Sequence, residues 1–544
     1  MKTIYNKNVG IVILLLGFYQ WMGAQPSTNQ NYIQTRTMTD STGTKSLDLI
    51  QYFDGLGRPV QQVQVGFTPN KADFVAFQEY DAFGREWKNW LPVNTTGSNG
   101  NFRTIQSLKD RTDTAYGTEP ARYSETVYEP SPLNRVEKQY GPGQDWQEDN
   151  NGEGHPVKIE YLTNNATYPC AYYYISGNNL VKNSNYANNQ LFVTKMTDED
   201  GKVAYEFKDK LGQVVLQRQV NGTASNTTTN HDTHYVYDDF GNLRYVLPPT
   251  LSDLATSDTS YPESNDYAKQ LAYIYKYDKR NRCSEKKLPG ADPVYYVYDK
   301  ADRLIFSQDG EQRPGNDWTF YKYDAFNRII LTGVWKNSAK TQENLTNQYQ
   351  DSLATAQPGS GAYGYTWTTL AWVPSTAVLQ ANYYDNSDSF LNTLNSTTKA
   401  KINYSTPPTG YDARYANSKG LLVGTLVKML DDTSKEIACA FYYDAKGRVV
   451  QQKSTNLLGG SEVEYYAYSF TGNPTKKQKV HTATGKSDIT ENYTYDYDHA
   501  NRPTITTYQL GSNTAITLSL LTYDELGRVK EKKLHGTKET INYT

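Results

Sequence analysis

The 544 residues carry a formal net charge of −3 and only three cysteines, Cys170, Cys283 and Cys439, with no Cys-x-x-Cys or Cys/His spacing. That excludes the strongly basic face of a nucleic-acid binder and argues against a zinc site or a dense disulfide framework, leaving one disulfide or three free thiols open. Counting the 38 glycines in place of the 48 tyrosines turns the apolar share of 37% into about 35%, against roughly 45–50% in ordinary globular chains, so a thick aliphatic core is not expected. Aromatic residues at 13% argue equally against disorder. Tyrosine suits a thin sheet with water near both faces, because its ring buries area while its hydroxyl keeps a polar partner.

In chain order, residues 1–24 come first. Lys2 and Lys7 precede an apolar run from Val9 to Phe18 that is too short to span a bilayer, and Met22-Gly23-Ala24 offers a small-residue cleavage site. The segment is read as a secretory signal peptide rather than an anchor, so export is expected. Its removal takes two lysines and shifts the charge from −3 to −5. No later segment is expected to cross a membrane.

From there the chain is organised by a repeat: an aromatic pair, Asp, two variable residues, then Gly, Asn or Asp, usually followed by Arg and a β-branched run. The copies are Asp54/Gly57/Arg58, Asp81/Gly84/Arg85, Asp238/Gly241, Asp278/Asn281/Arg282, Asp299/Asp302/Arg303, Asp324/Asn327/Arg328, Asp444/Gly447/Arg448, Asp498/Asn501/Arg502 and Asp524/Gly527/Arg528, with a decayed copy at Asp209-Lys210-Leu211-Gly212-Gln213. Turn chemistry explains the pattern: an Asp at the first position accepts from amides two residues on, and a fourth position with φ > 0 tolerates Gly, Asn and Asp. Flanking runs such as Tyr235-Val236-Tyr237 alternate with period two, and runs such as Arg328-Ile329-Ile330-Leu331-Thr332 have strand composition. Each unit is therefore a predicted β-hairpin. Several strands are expected to end at Leu-Pro (Leu91-Pro92, Leu247-Pro248, Leu288-Pro289), where an amide donor is missing.

The rhythm breaks at about 94–120, 249–268 and 340–415, which are expected to be surface excursions. The last contains Gln357-Pro358-Gly359-Ser360-Gly361, a Trp-containing stretch ending near Val373-Pro374, and a predicted short helix around Asn344 to Ala354. The expected layout is a β domain over 25–225, a repeat array over 226–340, an irregular insertion over 341–415 and a second array over 416–544. The fold class is all-β: tandem antiparallel hairpins in a long coiled sheet or partial hollow shell.

These Tyr-Asp-x-x-Gly-Arg units resemble the YD repeats of RHS proteins and teneurins. Asn31-Tyr32-Ile33-Gln34-Thr35-Arg36, with Tyr52-Phe53-Asp54-Gly55-Leu56-Gly57-Arg58-Pro59-Val60-Gln61, further resembles the DUF6443-type N-terminal domain of large exported RHS-repeat proteins of Bacteroidota-type bacteria. The resemblance implies repeats coiled into a hollow β-shell, commonly enclosing a variable C-terminal toxin delivered to competing cells. The family's Asp-Pro-x-Gly element ahead of the toxin is not visible before Ile541-Asn542-Tyr543-Thr544, so the second array is read as truncated, and no toxin-releasing aspartate is assigned.

Chemistry finds little support. His231-Asp232-Thr233-His234 lacks a third ligand at metal spacing and is read as a polar loop. The repeated aspartates form a row, not the isolated pair a glycosidase needs, and each is accounted for by its own turn. No nucleophile elbow, phosphate loop or dinucleotide fingerprint is present. No enzyme, cofactor or metal is expected. The expected role is an exported scaffold, the shell or display part of a toxin or surface-effector system, whose partner is a C-terminal toxin or effector domain. The alternative is an adhesin whose tyrosine faces stack on cell-surface glycans.

Overall fold

The computed structural model describes residues 26–543 except 98, 118, 149–153, 178, 222–229, 256–258, 263–264 and 368–373. The signal peptide assigned to residues 1–24 lies outside the described residues, as does most of the Trp-containing stretch before Pro374. The protein is all-β: thirty strands belong to one antiparallel sheet. Its described residues divide into two units, one drawn from Met1–Val157, Tyr466–Gln478 and Thr490–Thr544, the other from Lys158–Tyr465 and Lys479–Ile489.

In the first unit, strands follow one another in chain order: Asn31–Met38, Ser46–Phe53, Pro59–Gln64, Phe74–Tyr80, Glu86–Asn94, Tyr123–Tyr128 and Val136–Tyr140, each paired with the next. Its later part repeats the plan through Ile489–Tyr497, Pro503–Leu510, Ile516–Tyr523, Val529–Leu534 and Glu539–Asn542. The core beneath the first strands is Ile50, Tyr52, Val63, Val75, Phe77, Val93 and Leu108. The second unit runs the same meander from Val157–Thr163 to Ser461–Tyr468, and a separate three-stranded sheet of Ala171–Ser176, Asn179–Asn185 and Thr259–Tyr261 packs with it around Tyr173, Leu180, Val236 and Tyr245.

In the runs Tyr235-Val236-Tyr237 and Tyr296-Val297-Tyr298 the alternation turns the residue between the tyrosines toward the core, whereas Asp496, between Tyr495 and Tyr497, is exposed. Val236 is 2% exposed and Val297 1%, while their flanking tyrosines are half-buried. Period two also decides that Lys322, between Tyr321 and Tyr323, is 1% exposed; its ammonium lies 4.2 Å from the Trp367 ring, and burial pulls its pKa down to about 7.

The three breaks in the repeat are not surface excursions. They supply helices that pack on strands of the sheet or on one another: Ile105–Tyr116 in the first, Pro249–Leu254 and Asp266–Leu271 in the second, and Gln342–Tyr349, Ser387–Leu391 and Ser396–Ile402 in the third. Leu345, Phe390 and Ile402 of the third break are all fully buried in the largest core cluster, with Trp318, Phe320 and Leu331. A sheet this poor in aliphatic residues buries its face under the few large side chains that these insertions deliver, each contributing about 1.5–3 kcal/mol on full burial. The predicted helix at 344–354 starts earlier and ends at Tyr349, because Thr341 and Asn344 form a capping box and Ala354 and Ala356 then run extended into the core. The strand Val378–Asp385 within the same break bridges Ile329–Lys336 and Ser418–Lys428, so the sheet continues through it.

The Leu-Pro reading holds at Leu247 and just after Lys287, where strands end, but fails at Leu91-Pro92: that strand runs on to Asn94. A register shift between Val75 and Phe77 lets the strand pass the missing amide of Pro92.

A Cβ added at Gly424 would sit 2.2 Å from the Phe390 ring. Gly424→Ala is therefore expected to cost about 1–3 kcal/mol by overpacking, and Phe390→Ala about 3–5 kcal/mol by cavity formation. Urea unfolding of the two variants reads both; a neutral Phe390→Ala would remove the insertion from the core.

Candidate functional site

Among the described residues the repeated motif is a recurrent constellation of charged and aromatic side chains with one turn geometry. At Asp324, Oδ1 accepts the backbone N–H of Phe326 at 2.8 Å and of Arg328 at 2.9 Å, while Oδ2 accepts Arg328 Nε at 2.6 Å. The backbone closes the same way: Asp324 N–H donates to Arg328 C=O at 3.0 Å and Asn327 N–H to Asp324 C=O at 3.2 Å. This is a three-residue hairpin loop with a left-handed residue and a bulge, the register shifting at the tyrosine before each Asp. The fourth positions all have positive φ: Gly57 79°, Gly84 82°, Gly241 79°, Asn281 58°, Asp302 61°, Asn327 64°, Gly447 76°, Asn501 61° and Gly527 80°.

The same bonds recur at Asp54, Asp81, Asp278, Asp299, Asp444, Asp498 and Asp524 with Arg58, Arg85, Arg282, Arg303, Arg448, Arg502 and Arg528. Asp238 and Asp209 keep the turn without the arginine. There Asn242 donates to Asn281 Oδ1 at 3.3 Å and Gln213 to the Gly241 carbonyl at 3.4 Å, so an amide makes the reach to the next turn that arginine makes elsewhere.

Tyrosine and arginine together join one repeat to the next. Where a tyrosine precedes the Asp, its hydroxyl donates to a carbonyl just after the preceding turn, as from Tyr80 to Pro59 at 2.6 Å, Tyr277 to Leu243 at 3.0 Å, Tyr298 to Cys283 at 2.8 Å, Tyr323 to Leu304 at 2.6 Å and Tyr523 to Pro503 at 2.6 Å. The preceding arginine lies over that same ring, with Arg58 4.3 Å from the Tyr80 centroid, Arg282 4.8 Å from Tyr298, Arg303 4.7 Å from Tyr323 and Arg502 4.6 Å from Tyr523. Arg282 Nη1 goes on to Asp302 Oδ1 at 2.9 Å and Arg303 Nη1 to Asn327 Oδ1 at 3.0 Å. Each motif is thus a clasp on its neighbour.

The carboxylates are tuned by these bonds. The Arg58 backbone N–H, followed after burial by the Arg58 guanidinium, holds Asp54 below the ordinary range. At Asp81, Asp278, Asp444 and Asp524 burial is the largest influence and pushes upward, but the hydrogen bonds from the following arginine and the turn amides together outweigh it and the net shift is downward.

Further turns of this class escaped sequence reading. Asp198 accepts from the amides of Asp200 and Lys202, ahead of Gly201 at φ 80°. Glu129 holds Arg135 across a loop two residues longer, and Ser469 and Asn456 stand in for the aspartate elsewhere. None has a Tyr-Asp pair; the Asp-x-x-Gly core at 198–201 was the available signal. The His231–His234 segment is a strand, Asn230–Tyr237, not a loop. His231 is exposed, Asp232 pairs with Arg218 at 2.6 Å, and His234 is buried against Tyr173 with Nδ1 3.1 Å from Ser252 Oγ. Among the described residues no group of three or more His, Cys, Asp or Glu side chains is arranged to hold a metal ion, and the three cysteines are free thiols.

Residues 25–161 match the family described as Domain of unknown function (DUF6443). No curated protein matches the chain. Among solved structures, TcdB2-TccC3 is similar at 11% identity and a TM-score of 0.45 over 93% of this chain and 23% of that one. TcdB2-TccC3-Cdc42 gives 11%, 0.43, 94% and 24%, and the Photorhabdus luminescens Tc holotoxin pore with a TccC3 mutation gives 11%, 0.36, 93% and 29%. The chain spans less than a third of each of these structures.

Two expectations follow from the clasp geometry. Asp299 is fully buried and receives five hydrogen bonds, including one from the Ala354 amide at 3.2 Å. Asp299→Ala leaves Arg303 buried without its partner and is expected to cost about 3–5 kcal/mol. Asp524→Ala, beside an Arg528 side chain that is 71% exposed, is expected to cost about 0.5–2 kcal/mol. Equal losses in urea unfolding would show that burial does not grade the clasps.

The second expectation concerns His234, whose pKa is pulled down to about 4, chiefly by burial. Unfolded, it titrates near 6.5. Between those values the unfolded chain binds the extra proton, so stability falls as pH drops from about 6.5 toward 4, by up to about 3 kcal/mol. His234→Gln should flatten the upper part of that slope in a pH series of thermal melts; an unchanged slope would assign it elsewhere.

Proposed function

We propose that the chain is an exported, non-catalytic scaffold of the RHS/YD-repeat type, the shell or display part of a polymorphic toxin or surface-effector system. The observation that carries this reading is the engagement of the repeated Asp and Arg side chains by the turns themselves: in each Asp/Arg clasp one carboxylate oxygen takes two backbone amides and the other takes the guanidinium. Engagement of the repeated carboxylates by their own turns supports a structural role for them. The match of residues 25–161 to the DUF6443 family and the resemblance of the repeats support the RHS assignment. Its partner on this reading is a C-terminal toxin or effector domain.

A second reading, a glycan-binding adhesin, rests on Tyr172 and Tyr174, which are each 36% exposed and stack with centroids 5.7 Å apart at 23°. Glycan arrays and limited proteolysis of the purified chain separate the two. A scaffold is expected to resist proteolysis as a block, bind no glycan saturably and release no sugar, and Asp324→Asn should lower only its stability. Saturable binding that disappears in a Tyr172→Ala/Tyr174→Ala variant would establish the adhesin instead.

A further inference from the structure

At several turns of the motif edge a large apolar side chain stands just before the left-handed residue, whereas Arg280, Ala301, Lys446 and Ala500 hold that place at others. In the first unit the apolar tips include Leu56, Phe83 and Leu133, exposed by 80%, 84% and 69%. Their turns are neighbours: a Cβ on Gly84 would meet Arg58 Nη1 at 2.6 Å, and Arg85 Nη1 donates to the Glu129 carbonyl at 3.1 Å. Successive tips are two strands apart, so the row has a pitch of about 10 Å.

The same unit shows what covers such an edge. The equivalent tip residues Ala500 and Leu526 are buried and half-buried, because the loop beginning at Gly66 lies across them. Phe67 stacks 4.9 Å from the Arg502 guanidinium and against Gly527, where a Cβ would come within 2.5 Å of its ring. His499 Nε2 donates to the Gly66 carbonyl at 2.9 Å, and Asn70 donates to Glu525. A hairpin loop from the opposite kind of edge therefore fits a tip edge, apolar on apolar with polar contacts at the rim.

In the second unit two consecutive loops on the edge opposite the motif turns leave their own apolar tips uncovered: Leu430 is 80% exposed, and Leu457 and Leu458 are 57% and 61% exposed. They follow strands Ser418–Lys428 and Val449–Thr455, again two strands apart and at the same pitch. The arginines of the tip row are already held by Asp54, Asp81 and Glu129, so covering it desolvates no unpaired guanidinium. We propose that the row Leu56, Phe83 and Leu133 docks on the row Leu430, Leu457 and Leu458 of a second copy of this chain. The contact joins two different surfaces of the chain, so it propagates unless the arrangement closes on itself. Three apolar side chains a side make a small interface, so weak, concentration-dependent association is expected.

Sedimentation velocity on the full chain from about 1 to 100 μM tests this. The weight-average mass should rise with concentration. Leu56→Asp/Phe83→Asp/Leu133→Asp and, separately, Leu430→Asp/Leu457→Asp/Leu458→Asp should each stay monomeric. An equimolar mixture of the two variants retains one intact row of each kind and should form dimers that grow no further, a recovery that misfolded variants would not give. A wild-type chain that is monomeric throughout, or variants that assemble as the wild type does, would overturn the proposal.

Discussion

A guanidinium held at most of the motif turns of a long sheet sets the terms for the structure. Each arginine of the motif gives its Nε to the aspartate four residues before it, and in most copies it lies on a tyrosine of the next hairpin and in several reaches the following turn. The tyrosine hydroxyl in turn satisfies a carbonyl that would otherwise lose a partner at the bulge. A hairpin alone is marginal in water; here the two interactions that close a hairpin also join it to its neighbour, so local and long-range stabilisation are the same bonds.

At three copies an acceptor at the left-handed position meets a donor from the preceding turn: Asp302 for Arg282, Asn327 for Arg303, Asn281 for Asn242. At Gly241 the arriving Gln213 amide donates to the backbone carbonyl instead, and at Gly84 the Arg58 guanidinium lies where a Cβ would be. At Gly527 the Phe67 ring occupies that space.

A tyrosine-rich sheet does not bury itself. Its core is divided into separate clusters, each completed by side chains from outside the repeats, such as Leu108, Leu251 and Phe390. Polar groups are drawn into these clusters wherever strand alternation directs them inward, which is how Lys322 and His234 come to be buried in strands that read as polar. Both are shifted toward their neutral forms chiefly by burial, linking stability to pH at positions far from any motif.

The sequence by itself determined the strands, the turn at each Tyr-Asp unit and the conformation of its fourth residue, because period-two alternation and a left-handed φ are local requirements written within six residues. It missed the turns at Asp198, Glu129, Asn456 and Ser469, where the local chemistry is kept with different letters. Only the tertiary structure decided that the insertions form core, that Val378–Asp385 continues the sheet, that His234 is buried, and that the loop at Gly66 covers the turns of Asp498 and Asp524. Those outcomes depend on which distant surfaces meet, and a contact between residues more than four hundred positions apart leaves no period or spacing in the chain to read.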